Sequence, residues 1–552
     1  MTEPTSIDFQ IMWNRLIAVV EEQATTLIRT AFSTSVREAG DLSAGLFDRQ
    51  GRMIAQAVTG TPGHVNAMAE SVTHFVREIG AQDMFEGDVL ITNDPWMGTG
   101  HLHDITVVSP VLRKGTHVGF FACTAHVVDV GGRGFGPDGN EVYEEGLLIP
   151  IMKFAERGTV SKDLVRMIRA NVRTPDQTVG DIYSLAACNE AGERRLQSML
   201  DEFDIDDIDG LSNFIIETSR KATHAAIAAV PDGTFANTMS VDGYEEPVLM
   251  AVRLDISGDT LLADFDGTSR SSRFGVNCPE VYTRAYACYG LKCAIAPEVP
   301  NNTGSLEPFR ITAPEGCILA AKRPAPVSVR HVMGHLVPDV VLGALHKALP
   351  NKVPAEGASA LWNIQISTRA SDPSSNLPDH EVLMFNSGGT GARPTLDGLS
   401  ATAFPSGVST MSVEATEHVG PITVWRKDLR QGSGGAGAQR GGLGQTIEIE
   451  ARDGYDFYFN AMFDRVKNPA RGRDGGLPGG EGRVELADGT KLRSKGRQLI
   501  RNGQRLKLSL PGGGGYGSPK ERDPGLVAMD LDAELITEEQ AKSDYGQDNE
   551  ND

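Results

Sequence analysis

Cysteine is scarce in this chain, with six among 552 residues. Cys123, Cys188, Cys278, Cys288, Cys293 and Cys317 form no Cys-x-x-Cys pair, which argues against a zinc ribbon or a thioredoxin-type redox site. They read as buried or free thiols in a reducing cytoplasm, with Cys288 and Cys293 as core residues of one helix. Long hydrophobic runs are missing too: no stretch of about 18 apolar residues offers a membrane span. The start of the chain, Met1 to Asp8, has neither a basic head nor an apolar signal core, so secretion is not expected. Positive charge is in deficit. Lys and Arg number 52 against 73 Asp and Glu, a formal net charge of −21, and such a surface repels phosphate backbones.

What is present is a large amount of core material. Hydrophobic residues make up 40% of a chain that is too long for one ordinary domain. Apolar residues at helical spacing predict a long helix over 7–37, further helices over 162–230, and helical stretches over 280–294 and 331–349. Short β-type runs cover 42–47, 53–58, 89–92, 105–112, 118–122, 248–256 and 260–265. The pattern predicts a multi-domain α+β fold with a β-rich C-terminal half. Its parts are an N-terminal region over 1–230, a β-rich region with helical insertions over 231–525, and an acidic tail over 526–552 that reads as flexible. Glycine-dense runs at 432–437 and 511–515 read as tight turns. Neither has the GxxxxGK[ST] spacing of a phosphate loop, so an ATP site is not expected on this chain.

One segment concentrates chemistry: Asn93-Asp94-Pro95-Trp96-Met97-Gly98-Thr99-Gly100-His101-Leu102-His103-Asp104. A strand leads away from it, and a second returns to His126-Val127-Val128-Asp129. If the two pair as a hairpin, His126 comes back beside His101 and Asp104. One carboxylate with two or three imidazoles is the donor set of a catalytic zinc, manganese or iron centre. Histidines that merely cap turns would look the same at this level.

The segment resembles the signature of the hydantoinase B family, which includes the second half of 5-oxoprolinase, caprolactamase beta subunits and related subunits of acetone and acetophenone carboxylases. Other pieces match in order, among them Gly40-Asp41-Leu42-Ser43, Gly63-His64-Val65-Asn66, Glu144-Glu145-Gly146-Leu147, Asn171-Val172-Arg173 and Arg440-Gly441-Gly442. The resemblance implies a divalent metal, zinc first and manganese or iron after it, bound by Asp41, His101, Asp104 and His126. It places His64 near the pocket. Two positions depart from the family pattern: His103 stands where proline is usual, and Val127 where a second histidine is frequent. The implied function is ATP-dependent opening of a cyclic amide. A hydantoinase A-type kinase-like partner carrying ATP and Mg would phosphorylate the amide oxygen. His103, Asp129 and Glu145 are then candidates for a base or a ligand-orienting group, and Arg133, Arg173 and Arg330 for binding substrate carboxylate or phosphate. Ketone carboxylation is the alternative within the same family, and a non-catalytic scaffold subunit is a third reading.

Overall fold

The structure is a computed structural model, and it describes residues 5–546. Residues 1–4, part of the N-terminal stretch considered above, and residues 547–552 of the acidic tail lie outside the described residues.

The chain opens with helix α1 (Ser6–Thr30), whose first turn is closed by a reciprocal Thr5–Asp8 capping box. The expected single helix to residue 37 breaks at Ala31–Ser33 and resumes as α2 (Thr34–Arg37). Asp181 accepts the freed Phe32 and Ser33 N–H groups, so the break is satisfied by a side chain from elsewhere. Strands β1 (Leu42–Asp48) and β2 (Met53–Gln56) follow, then α3 (Pro62–Ile79), β3 (Val89–Thr92), β4 (Asp104–Arg113), β5 (Thr116–His126), β6 (Met152–Glu156) and β7 (Thr159–Val160). They form a seven-stranded sheet in the order β2-β1-β5-β4-β3-β6-β7. Helices α4 (Lys162–Asn171), α5 (Pro175–Glu202) and α6 (Asp209–Ala228) complete this N-terminal region, with α1 and α5 packed against each other and α5 against β4 and β5.

Strands β8 (Gly233–Val241), β9 (Val248–Ser257), β10 (Thr260–Asp264) and β11 (Phe309–Thr312) make a four-stranded sheet. It shares its core with α7 (Glu280–Ile295) and α10 (Val337–Leu345), while α8 (Thr303–Leu306) and α9 (His331–Gly334) are single turns beside them. The helical stretch expected over 331–349 is therefore split, because Pro338 in the first turn of α10 restarts the helix. The C-terminal part carries two further four-stranded sheets. One is built from β12 (Ile364–Ala370), β13 (His380–Met384), β16 (Tyr455–Met462) and β18 (Lys495–Ile500). The other contains β14 (Ile422–Leu429), β15 (Gln445–Ala451), β17 (Arg483–Leu486) and β19 (Arg505–Ser509). Their inner faces meet in one core around Trp362, Phe457, Phe459, Ile447 and Leu508, a sheet-on-sheet packing. This multi-sheet arrangement is the mixed α+β fold expected from the sequence.

Two expectations need correction. The glycine runs are not chiefly turns. At most of these glycines the backbone angle is ordinary, but a Cβ on Gly441 would stand 2.0 Å from the Gly513 carbonyl oxygen, and one on Gly512 1.8 Å from that of Ser433. Glycine is needed there because coil segments lie backbone to backbone, joined by bonds such as Gly435 N–H to the Gly513 carbonyl at 2.9 Å. The acidic tail, read as flexible, is ordered as far as residue 546. Helices α12 (Pro524–Asp532) and α13 (Glu538–Ser543), with a short α11 (Val413–Val419) earlier in the chain, complete the helices, and Val527, Ile536, Ala541 and Tyr545 pack onto Ala436. A few apolar residues between Val527 and Tyr545 suffice because the glycine-rich coil supplies their partner surface.

Candidate metal centre

The β4–β5 hairpin turns at Lys114-Gly115, both with positive φ (50° and 77°), the conformation that matches strand twist in two-residue loops. Its register places Asp104 directly opposite His126 at the open end. His101 and His103 come from the turn just before β4. Asn93 stitches that turn down by donating to the Leu102 and Leu147 carbonyls at 2.8 and 2.9 Å and accepting from Ile149 N–H at 2.6 Å. Trp96 Nε1 reaches the Ala321 carbonyl at 2.8 Å. The Asn-Asp-Pro-Trp segment is thus the scaffold of the turn that aims His101.

Asp104 is the hub, fully buried. Its Oδ1 lies 2.7 Å from His101 Nε2 and 3.3 Å from His126 Nδ1. Its Oδ2 accepts from Thr99 Oγ1 at 2.6 Å, from Arg330, and faces His64 Nε2 at 2.9 Å. Burial alone would raise its pKa, but the Arg330 guanidinium first, and His64 beside it, hold it well below the usual carboxylate range. Gly100, at φ +102°, is required here, since a Cβ would press into the Arg330 side chain and Tyr282. Arg330 itself is buried and lies 4.0 Å from the Tyr282 ring centroid.

The donor atoms of His101, Asp104 and His126 all lie within 4.8 Å of one another. These three residues can hold a metal ion, and one detail favours a cation over a proton. His101 Nδ1 is 2.8 Å from the Ser328 carbonyl, which can only accept, so Nδ1 carries the hydrogen and the neutral ring points a bare lone pair from Nε2 at Asp104. Two acceptors then face each other. Protonating the ring would resolve this, but burial, aided by Arg330, pushes the His101 pKa down to about 3. His126 Nε2 and both nitrogens of His103 are likewise buried without partners. Unpaired buried polar atoms cost about 1–3 kcal/mol each, so a cation that accepts these lone pairs suits the donor set.

The other sequence-derived candidates are spread over three environments. Asp41 lines the same cavity, accepts from Thr61 Oγ1 at 3.0 Å, and stands 3.6 Å from His64 Nδ1, at the margin of the triad. His64 bridges Asp41 and Asp104; burial disfavours its charge, yet the two carboxylates outweigh burial and raise its pKa. His103 stacks on His126, with ring centroids 5.4 Å apart and 13° between planes, behind the triad. Glu145 is one layer out. Its Oε1 accepts from Val327 and Ser328 N–H at 2.7 and 2.8 Å, so it holds the loop whose carbonyl orients His101. Asp129, Arg173 and Arg133 are not brought to the cavity. Asp129 pairs with Arg173 at 2.7 Å, Arg173 also donates to the Gly131 and Gly132 carbonyls, and Arg133 is exposed and paired with Glu144. Neither arginine reaches the cavity around Asp104.

Sequence reading missed the far wall. Tyr282, His331 and His335 come from the middle of the chain, and Leu361, Asn363, Ser406 and Val408 from the C-terminal part. His331 is buried with neither ring nitrogen partnered and stacks on Phe135 at 5.5 Å; His335 Nε2 lies 3.3 Å from Tyr282 Oη. The four-residue spacing of His331 and His335 in a helical stretch was a usable signal for them. Nothing in the sequence marks Asn363 or Ser406. The cavity is about 20 Å³, room for an ion or a water. Ligand pockets are usually about 300 Å³ or more, so a ring substrate enters only if a wall moves.

The sequence profile of the hydantoinase B/oxoprolinase family matches residues 5–519. The chain belongs to this family. It is 27% identical to caprolactamase subunit beta of Pseudomonas jessenii, over 98% of this chain and 95% of that one. It is 28% identical to 5-oxoprolinase 1 of Arabidopsis thaliana over 93% of its own length, which is 42% of that protein. Among solved structures it resembles the ATP-dependent caprolactamase from Pseudomonas jessenii, with a TM-score of 0.89, 25% identity, and coverage of 99% and 96%. Nucleotide-free acetone carboxylase shares the fold, with a TM-score of 0.88 and 20% identity over 99% of this chain and 80% of that one. Among the described residues no helix is long and apolar enough to cross a membrane.

Proposed function

We propose that this chain is the metal-bearing subunit of an ATP-dependent cyclic-amide hydrolase, opening a hydantoin, oxoproline or lactam ring. The observation that carries the reading is the lone pair of His101 held against Asp104 beside His126, a donor set that calls for a cation. A divalent ion bound there supplies Lewis acidity and a water of lowered pKa. The rest of the chemistry belongs to the protein's own groups. The Ser328 carbonyl fixes the tautomer of His101, and Thr99 and Arg330 fix the rotamer of Asp104. Phe135, packed against the rings of His101, His103 and His126, keeps bulk water from the cavity. His64, favoured as imidazolium between Asp41 and Asp104, holds a proton within reach of the cavity. An unactivated amide is a poor electrophile, and the partner's phosphorylation of its oxygen supplies the leaving group. The subunit naming of the caprolactamase relative supports a partner subunit, which in this reading is the kinase-like chain that carries ATP and Mg.

The test is reconstitution with that partner and assay against hydantoins, 5-oxoproline, lactams and aryl ketones. ATP-coupled ring opening by the complex, and none by this chain alone, is the expected result. Bicarbonate-dependent consumption of a ketone would instead favour the carboxylase reading, which the fold shared with acetone carboxylase keeps as the second candidate.

A further inference from the structure

A second polar cleft, of about 270 Å³, opens where α10 meets the glycine-rich C-terminal coil, and it has the opposite character to the metal cavity. It is lined by Asn237, His346, Lys347, Glu356, Arg471 and Arg473, with Asp474 at its edge. Its floor is a buried ion network. Arg465, fully buried, donates to Asp339 Oδ2 at 2.9 Å and to Glu356 Oε2 at 3.2 Å. Arg471 Nε donates to Glu356 Oε1 at 2.7 Å, and its backbone N–H to Oε2 at 3.1 Å. Both carboxylate oxygens of Glu356 are thereby saturated.

That leaves positive charge over. Arg473 makes no ion pair among the described residues. Its Nε donates to the Pro354 carbonyl, its Nη2 is buried without a partner, and burial disfavours its charge. Lys347 reaches only the Ala236 carbonyl. His346 turns Nε2 to Asp474 at 3.0 Å and leaves Nδ1 buried and unpaired. Arg465 adopts φ 61°, strained for an L side chain, to carry the network. Such strain persists only where the surroundings over-determine it, and it concentrates at ligand sites. On a chain of net charge −21, a guanidinium that makes no ion pair among the described residues and an ammonium converging on one cleft are an exception to the general field.

We propose that this cleft is a second, independent site for a phosphate-type oxyanion, bound by Arg473, Arg471 and Lys347. Lys347, just after α10, approaches from one side and Arg473 and the partly exposed Arg471, on one coil segment, from the other, which suits a tetrahedral oxyanion better than the two coplanar oxygens of a carboxylate. The cleft is larger than the ion alone, so the phosphate group is either free or carried on a small molecule.

The test uses the full-length chain, titrated with inorganic phosphate, glycerol 2-phosphate and acetate at matched ionic strength and followed by phosphorus NMR and thermal midpoint. Phosphate should bind with a dissociation constant in the range of about 1 mM or below. Lys347→Ala and Arg473→Met should each weaken binding about tenfold or more, a loss of about 1.4 kcal/mol. Lys347 is exposed, so its variant decides the matter if Arg473→Met does not fold. Binding must survive in His101→Ala, which separates the cleft from the metal cavity. Tighter binding of the free ion or of the ester identifies the source. Acetate binding as well as phosphate, loss of phosphate binding in His101→Ala, or normal binding in Lys347→Ala overturns the proposal.

Discussion

Two buried charge clusters sit in this protein, and they are unsatisfied in opposite senses. Around Asp104 the surplus is of lone pairs: His101 Nε2 faces a carboxylate, and His126 Nε2 and the His103 ring nitrogens have no partner. Around Glu356 the carboxylates are saturated by Arg465 and Arg471, and the surplus is an N–H donor on Arg473. The first cluster fits a cation and the second an anion. Burial does not set this difference; the sign of the unpaired atoms does.

The sharpest way to break this comparison is His126→Ala. It should abolish bound metal and all turnover, because a direct ligand anchors the ion, and elemental analysis of the purified variant reads the loss. Retention of stoichiometric metal would remove the cation reading. Arg465→Met should be next. Removing one partner of a buried network typically costs about 3–5 kcal/mol, visible in denaturant unfolding, and here metal content should not change. A variant that unfolds no more easily than wild type would show the network to be structurally idle. His103→Ala should keep its metal and lose activity by about 10–100-fold, since its ring backs His126 without reaching Asp104. Loss of metal would place it among the ligands.

The smallest effect concerns pH. Burial pushes the Glu145 carboxyl from 4.5 up to about 8, more than the Val327 and Ser328 N–H groups lower it. A group whose folded pKa is raised binds its proton more tightly when folded, so its contribution falls as pH rises from about 4.5 to 8. Glu145→Gln should therefore flatten the fall in thermal midpoint across that window. An unchanged slope would show that Glu145 is ionised when folded.

Much of the first cluster was legible in the sequence, because its members are local. His101, His103 and Asp104 lie within four residues, and the β-type run over 105–112 and its return over 118–122 imply a hairpin that brings back His126. Arg330, named as an anion-binding candidate, instead holds Asp104, a contact spanning 226 residues. His331 and His335 carried a spacing signal that went unread. Arg133 and Arg173, named as substrate-anion candidates, pair instead with Glu144 and Asp129 away from the cavity; an arginine near a motif carries no sign of which carboxylate of its own chain it meets. The second cluster was illegible. Asp339, Glu356, Arg465 and Arg473 span three segments with no shared motif, and Arg473 is distinguished only by the partner it lacks.

The sequence by itself therefore determined the strand and helix periods, the hairpin, the His and Asp content of the cavity around Asp104 and the family, since each is written in neighbouring residues or in their order. Tertiary structure alone decided which charges meet. It placed Arg330 on Asp104, gave the glycines their role as backbone contact points, and left Arg473 unpaired, because pairing across hundreds of residues depends on packing that local spacing does not encode.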